Sequence, residues 1–391
     1  MRMLFTFAAG SGHLEPMLPL AYAVRALGHT VAFSGRPWMT PQVEALGFEA
    51  LPASPDAGLT PKRLALAPIN TAQDIQHVGT GFGRRVGRSR AAGLLPICAN
   101  WQPDLLVCEE MDFGAMVAAE RLGLPHALVL VLAAGGFIRP EGVAGPLDEV
   151  RAEHGLPPDP DLAQPGRYLV LSPFAPSYRN PEFPVPDTTH AFRQFSPGAG
   201  TGAAATGWPA GPANSAKVYF TLGTVYNMES GDLFQRMLAG LRDLPIRLIV
   251  TVGRDFDLTE LGPQPANVRL EQFLAQAALL PECDLVISHG GSGSVTGALA
   301  HGRPMVLAPM GADQPLNAAR CEALGVARRL EAVTATPDEV SAAVMDVLQA
   351  PRYRQAAERL RDEMAALPPP ESAAWLLERL AAEKQPIIGA P

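Results

Sequence analysis

The residues of this 391-residue chain with the most evident chemistry are Ser288-His289-Gly290-Gly291-Ser292-Gly293-Ser294 and, about twenty positions later, Gly311-Ala312-Asp313-Gln314. The apolar run Asp284-Leu285-Val286-Ile287-Ser288 reads as a buried parallel strand, and Val295-Thr296-Gly297-Ala298-Leu299-Ala300 as the opening of a helix. A strand that turns through glycines into a helix presents unpaired backbone N–H groups at the positive end of a helix dipole, a ready site for phosphate. His289 can donate to a phosphate oxygen, and Asp313 with Gln314 offers two acceptors and a donor suited to sugar hydroxyls. A diphosphate site followed by a polyol clamp implies a nucleotide sugar as ligand.

Alternating strand and helix patterns are needed to position these groups. In the first half, Met3–Phe7, Thr30–Ser34, Leu105–Cys108 and Ala127–Leu132 read as buried strands, with helices at Pro16–Leu27, Pro41–Leu46 and Phe113–Leu122 between them. Pro52 to about Gln73 reads as a long loop. A second series starts at Val218–Leu222 and runs through strands Arg247–Val252, Asp284–Ser288 and Met305–Leu307 and helices Asp232–Leu241, Leu274–Leu280, Val295–Ala300, Gln314–Leu324 and Pro337–Leu348. Repeated units of this length imply doubly wound parallel sheets, whose ligands bind beyond the carboxyl ends of the strands. Fifteen of the 21 residues from Ser196 to Ala216 are Gly, Pro or Ala, which marks a linker. The expected organisation is therefore a domain at 1–195, a flexible loop and linker at 196–216, a second domain at 217–370, and a C-terminal helix at 371–391 packing back toward the first domain.

Composition narrows the function. Hydrophobic residues make up 47% of the chain, enough for two cores, and no apolar run approaches a membrane span. A net charge of −8 with scattered basic residues argues against nucleic acid and against stable membrane association. The N-terminal Met1–Phe7 reads as a strand and not as a signal peptide. Cys98, Cys108, Cys283 and Cys321 are widely spaced, which argues against zinc and a disulfide framework and fits a reduced cytoplasm. Arg84, Arg85, Arg88 and Arg90 form the one basic cluster, read as a solvated helix face. Asp159-Pro160-Asp161 has metal-site spacing but lies in a Pro-rich surface stretch, and no metal is expected.

The chain resembles the family-1 glycosyltransferases of the GT-B fold, specifically the bacterial branch that decorates antibiotics and other natural products. Gly10-Ser11-Gly12-His13-Leu14-Glu15-Pro16-Met17-Leu18-Pro19-Leu20, Gln272-Phe273-Leu274-Ala275-Gln276, His289 to Ser294, and Ala308-Pro309-Met310 through Asp313-Gln314 and Asn317 carry the resemblance, which spans essentially the whole chain. It implies an α/β architecture of two facing doubly wound, Rossmann-like domains, with the nucleotide sugar held by the second. Phe273 matches the position that meets the base, and Gln276 lies near base or ribose. Gly223 and Thr224 match a phosphate contact. His289, Gly291, Ser292 and Gly293 match the diphosphate grip, and Asp313 and Gln314 the donor-sugar contacts.

The same resemblance casts His13 as the base that takes the acceptor proton. Its orienting carboxylate follows the fourth strand, by register Glu109, with Glu110 and Asp112 close by. Family members that use uridine donors commonly carry Glu eight residues after the motif histidine, where this chain has Gly297. A carboxylate aimed at a 2′-hydroxyl is left unmet by 2′-deoxyribose, so its absence favours a dTDP-sugar over a UDP-sugar. The resemblance thus implies an inverting, metal-independent transfer to a hydrophobic aglycone, with the nucleotide sugar as co-substrate and no other cofactor. The acceptor would be shaped by Pro55–Arg90 and Ala133–Pro146, with Phe82, Met111, Phe137 and Ile138 as candidate pocket residues. A homodimer is compatible with the sequence. A nicotinamide enzyme fits poorly, since Glu15 replaces the third glycine of its fingerprint and no acidic residue ends the second strand. A UDP-hexose enzyme of the same fold and a non-catalytic auxiliary protein are the alternatives.

Overall fold

The structure, a computed structural model, describes residues 1–53, 64–194, 207–223 and 226–389. Thr224, the first eleven residues of the expected linker and part of the Pro55–Arg90 stretch lie outside the described residues. The chain forms two compact units, one of Met1–Gly58, Ala72–Phe195 and Ala366–Pro391, the other of Leu59–Thr71 and Ser196–Ala365. The described residues 64–71, placed in the first domain by the sequence reading, group with the second unit, where Leu64 N donates to Met228 O at 2.9 Å.

The first unit is built on a seven-stranded parallel sheet: β1 (Arg2–Thr6), β2 (Thr30–Ser34), β3 (Glu49–Ala50), β4 (Leu105–Glu109), β5 (His126–Val129), β6 (Leu169–Ser172) and β7 (Thr189–Ala191), in the order β3-β2-β1-β4-β5-β6-β7. β1 and β4 read as unbroken apolar runs because helices cover both faces of the sheet. Winding reverses between β1 and β4, where Thr6 pairs with Cys108. The second unit repeats the plan with β8 (Ala216–Thr221), β9 (Ile246–Thr251), β10 (Val268–Glu271), β11 (Leu285–Ser288), β12 (Met305–Leu307) and β13 (Ala327–Arg329), in the order β10-β9-β8-β11-β12-β13. Its reversal lies between β8 and β11, where Thr221 pairs with Ser288. Among the described residues no helix is long and apolar enough to cross a membrane.

One helical region differs from the sequence reading, and the C-terminal helix stands in the first unit as expected. Most of the expected acceptor loop at 55–90 is helix: Thr71–Val78 is α-helical, Gly79–Val86 is π-helical, and Gly87–Trp101 returns to α-helix. The C-terminal helix Pro370–Glu383 buries Ala373, Ala374, Leu377 and Leu380 in the core of the first unit. Its Glu378 Oε1 lies 2.6 Å from His29 Nε2, at the start of the turn into β2.

Arg90 corrects the solvated-face reading of the basic cluster. Arg84 and Arg88 do lie at the surface, paired with Glu149 and Glu153, but Arg90 is fully buried. Its guanidinium grips Asp112 (Nη2–Oδ2 2.6 Å) and donates to Ser34 O, Gly35 O and Ala53 O. Asp112 in turn caps Phe113–Leu122 through Ala115 N. The pair ties the end of β2 to the helix after β4. Removing one partner leaves a buried charge unmatched, so Arg90→Ala should lower stability by about 3–5 kcal/mol in chemical denaturation, whereas the double change Arg90→Met, Asp112→Leu should recover much of that loss.

Candidate active site

The first group of site residues stands at the carboxyl edge of the sheet, where winding reverses. β1 leads through Ala8 and Gly10 into a one-turn helix, Ser11–Leu14, that carries His13; the sequence reading had placed His13 in a loop and started the helix at Pro16. Pro16 instead opens a 3-10 turn, Glu15–Met17, before the longer helix Leu18–Ala26. Because β4 lies beside β1, its last residue Glu109 points its carboxylate at this turn, and Glu109 Oε1 is 3.0 Å from His13 Nδ1. Glu109 is fully buried and also accepts from Ala8 N at 3.0 Å and Met111 N at 2.8 Å.

The neighbouring carboxylates are engaged elsewhere. Glu110 Oε2 accepts from Val131 N and Leu132 N, both at 2.9 Å, and Asp112 belongs to Arg90. Burial raises the Glu110 carboxyl above its usual range. A carboxylate 3.0 Å from Nδ1 favours the Nδ1–H tautomer of His13, which places the lone pair of the ring on Nε2. The ring of Phe82 stacks on His13, with centroids 5.9 Å apart and planes 16° from parallel. Of the other expected pocket residues, Met111 and Phe137 are only 4% and 5% exposed and offer little surface to a ligand, while Ile138 is half-buried.

The second group stands at the matching edge of the other sheet. β8 runs into Gly223 (φ +77°), and β11 into His289, Gly290 (φ +85°) and the helix Ser292–Ala300 capped by Gly291. The His289 ring fits between two glycines. A Cβ on Gly223 would stand 2.6 Å from its Cε1, and one on Gly291 2.5 Å from its Nε2. Burial pushes the His289 imidazole down to about 4. It is therefore neutral near pH 7 and can serve a phosphate as a hydrogen-bond donor. The first helical bond runs from Val295 N to Gly291 O, and no heavy atom lies within 4 Å of a Cβ built on Gly293, so a ligand can approach this backbone closely.

Asn317, which the sequence offered only as part of a motif, is the hub of this group. Its amide donates to Asp313 Oδ2 at 2.8 Å, Gly290 O at 3.0 Å and Ser292 Oγ at 3.2 Å, while Ser292 Oγ donates to Asp313 Oδ2 at 2.7 Å. Ser292 thus orients Asp313 as well as opening the helix. Gln314 is 1% exposed and its Oε1 accepts from Met310 N at 2.8 Å, so of its expected sugar contacts only those of the amide nitrogen remain. Ala312, just before Asp313, holds a left-handed φ of 53°, a strain of about 1–3 kcal/mol for a residue with a Cβ. Phe273 is 49% exposed, with the Arg254 guanidinium carbon 4.0 Å from its ring centroid. Gln276 Nε2 is buried without a hydrogen-bond partner among the described residues, and Gln276 Oε1 lies 3.8 Å from the Cβ position of Gly297.

Two predictions arise here. Burial also pushes His126 down to about 4. Above the unfolded value of about 6.5 both histidines are neutral in either state; below it the unfolded chain takes up protons that the fold refuses. Denaturation midpoints should therefore fall as pH drops from about 6.5 toward 4, and NMR titration should leave His289 neutral through most of that window. Separately, Gly223→Ala should cost about 1–3 kcal/mol and displace the His289 ring signals, since the added Cβ meets both a left-handed backbone and the imidazole.

Known proteins resemble this chain over almost its whole length. Residues 235–380 match the family model described as the Erythromycin biosynthesis protein CIII-like, C-terminal domain. An L-demethylnoviosyl transferase of Streptomyces niveus is 30% identical, covering 98% of this chain and 99% of its own. A 3-alpha-mycarosylerythronolide B desosaminyl transferase of Saccharopolyspora erythraea is 28% identical over 98% of this chain and 99% of its own. The Streptomyces sp. SF2575 glycosyltransferase SsfS6, solved with thymidine diphosphate, superposes with a TM-score of 0.76 at 26% identity, covering 97% of this chain and 99% of that one. The chain belongs to the family-1 glycosyltransferases of GT-B fold, in the branch that serves antibiotic and natural-product biosynthesis.

Proposed function

We propose that the enzyme transfers a sugar, in particular a deoxysugar, from a dTDP-sugar to a hydroxyl group of a hydrophobic natural-product aglycone, with inversion at the anomeric carbon. The observation that carries this reading is the 3.0 Å contact between His13 Nδ1 and the fully buried Glu109. His13 Nε2 takes the hydroxyl proton as the acceptor oxygen attacks the anomeric carbon, and the bond from that carbon to the phosphate oxygen breaks on the opposite face. Glu109 holds the ring in the required tautomer and stabilises the imidazolium that forms. The departing diphosphate is received by the N-terminus of Ser292–Ala300 and a neutral N–H of His289, without metal or further cofactor in this scheme. Asp313, fixed by Ser292 and Asn317, accepts from hydroxyls of the donor sugar.

Position 297 supports the choice of nucleotide. A side chain there would begin 3.1 Å from Leu280 Cδ1 and pass beside Gln276, so a ribose-binding glutamate is both missing and poorly accommodated. The SsfS6 structure holds thymidine diphosphate, in keeping with this reading.

Calorimetric titration with dTDP and, separately, UDP tests the donor. A Kd for dTDP about tenfold or more below that for UDP is expected; equal or tighter UDP binding would overturn the assignment in favour of a UDP-hexose. His13→Ala should lower kcat by about 10²–10⁴-fold while dTDP affinity is kept. Undiminished transfer by that variant would remove His13 as the base.

A further inference from the structure

Trp38 is 43% exposed, although an indole is highly buried on average, and it stands against the turn that leads to His13. Its place follows from the sheet. β2 lies next to β1, with Ser34 level with Thr6, so the chains leaving the two strands emerge side by side at the carboxyl edge, where such sheets hold their ligands. Shortly past Ser34, Trp38 sits in the 3-10 turn Pro37–Met39; shortly past Thr6, His13 sits in the one-turn helix Ser11–Leu14.

The turn is anchored from the inside while the indole stays open. Met39 is 2% exposed, and its N donates to Arg36 O at 2.9 Å to close the turn. The benzo edge of the indole rests on Gly10: a Cβ there would stand 3.1 Å from Trp38 Cη2 and 3.9 Å from Cζ3. Gly10 O in turn accepts from His13 N at 2.9 Å. A second tie runs from Ser11 Oγ to Gln42 Oε1 at 3.2 Å, between the one-turn helix of His13 and the helix Thr40–Ala45 that follows Trp38. The indole and the backbone that carries the imidazole thus belong to one braced corner.

A flat apolar ring fixed at one edge and open elsewhere is a platform for stacking. A planar aromatic ligand gains from an offset face-to-face contact beyond the area it buries, whereas a saturated ring gains from the area alone. With its benzo edge already packed on Gly10, the indole has little side-chain freedom left to lose when a ligand arrives. Met111 and Phe137, expected to line the acceptor pocket, are buried and present no such face. We infer that Trp38 is an acceptor-binding residue: its open surface stacks a planar aromatic ring of the aglycone and sets that ring beside His13. This rests on the reading of His13 as the base toward a hydrophobic acceptor, and it narrows the acceptor to aglycones with a planar aromatic system.

The test titrates the full-length enzyme, Trp38→Phe and Trp38→Ala with alizarin, a planar dihydroxyanthraquinone, and the same samples with dTDP. Trp38→Ala should weaken alizarin binding about tenfold or more, and Trp38→Phe, which keeps a flat face, by less than about threefold. The Kd for dTDP should be the same in all samples. NMR of the parent enzyme should show NOEs between the indole protons of Trp38 and the aromatic protons of alizarin, a readout that does not depend on how well a variant folds. Equal alizarin binding by the parent and Trp38→Ala, or an absence of those NOEs in the bound state, would overturn the role of Trp38. A parent enzyme that binds dTDP but not alizarin would overturn the planar aromatic class of acceptor. Failure of the parent to bind dTDP would instead strike the donor reading. Binding needs no proton transfer, so a failure of His13 as the base leaves these titrations unchanged and shows only in the turnover of His13→Ala.

Discussion

The parallel pairing of β1 with β4 sets Thr6 level with Cys108, and the geometry of the first site follows from that register. Strands that lie far apart in sequence become neighbours only where the winding of the sheet reverses, and their carboxyl ends then open into the same space. His13 comes off one strand and Glu109 ends the other, so a 3.0 Å contact spanning almost a hundred residues of chain needs no long side chain to close it. Arg90 braces the same corner from below the surface by clamping Asp112 and the carbonyls that follow β2. The three acidic groups at 109, 110 and 112 are thereby kept on three separate errands, each fixed by backbone N–H groups or a guanidinium.

The second unit applies one topology to a different task. At its reversal the strand ends are finished with glycines, and the space they leave is filled by the imidazole of His289. What the ligand would meet is mostly backbone, with side chains arranged behind it. Ser292, Asp313 and Asn317 already hydrogen-bond one another, so this group is organised at the folding step. The left-handed Ala312 beside Asp313 is strain of the kind that such pre-organised sites tolerate.

Much of this was legible in the chain. Apolar runs marked the inner strands, and Gly290-Gly291 after one of them marked the turn into the helix Ser292–Ala300. The resemblance singled out His13 and, by register, Glu109, which stand 3.0 Å apart, while Glu110 and Asp112 lie as near in sequence. Short edge strands such as Glu49–Ala50 and Thr189–Ala191 carry too few residues to show a period, and were missed. The long helix from Thr71 was missed for a different reason. Gly79, Gly81, Gly83, Gly87 and Pro96 look like helix breakers one at a time, but Gly79 and Gly83 pack closely against Pro140–Glu153 and Gly87 against Gly114, which makes small residues an asset at those positions. Arg90 read as surface because its neighbours are basic; burial is decided by Asp112, twenty-two residues on, which no local pattern reveals. The roles of Gln314 and Asn317 depended on which hydrogen bonds are already made internally, information that resides only in three dimensions.

The helix Pro370–Glu383 sits at the far end of the sequence yet fills the core around Leu18, Leu20 and Val24. Domains emerging from the ribosome ordinarily fold in the order of their synthesis. The first unit takes β1 and the helix Pro370–Glu383 from far apart in the sequence, so its core cannot close until residues 370–383 have been made, after every strand of the second unit. Until then, the apolar surface that Leu377 and Leu380 will cover stands open on the nascent chain.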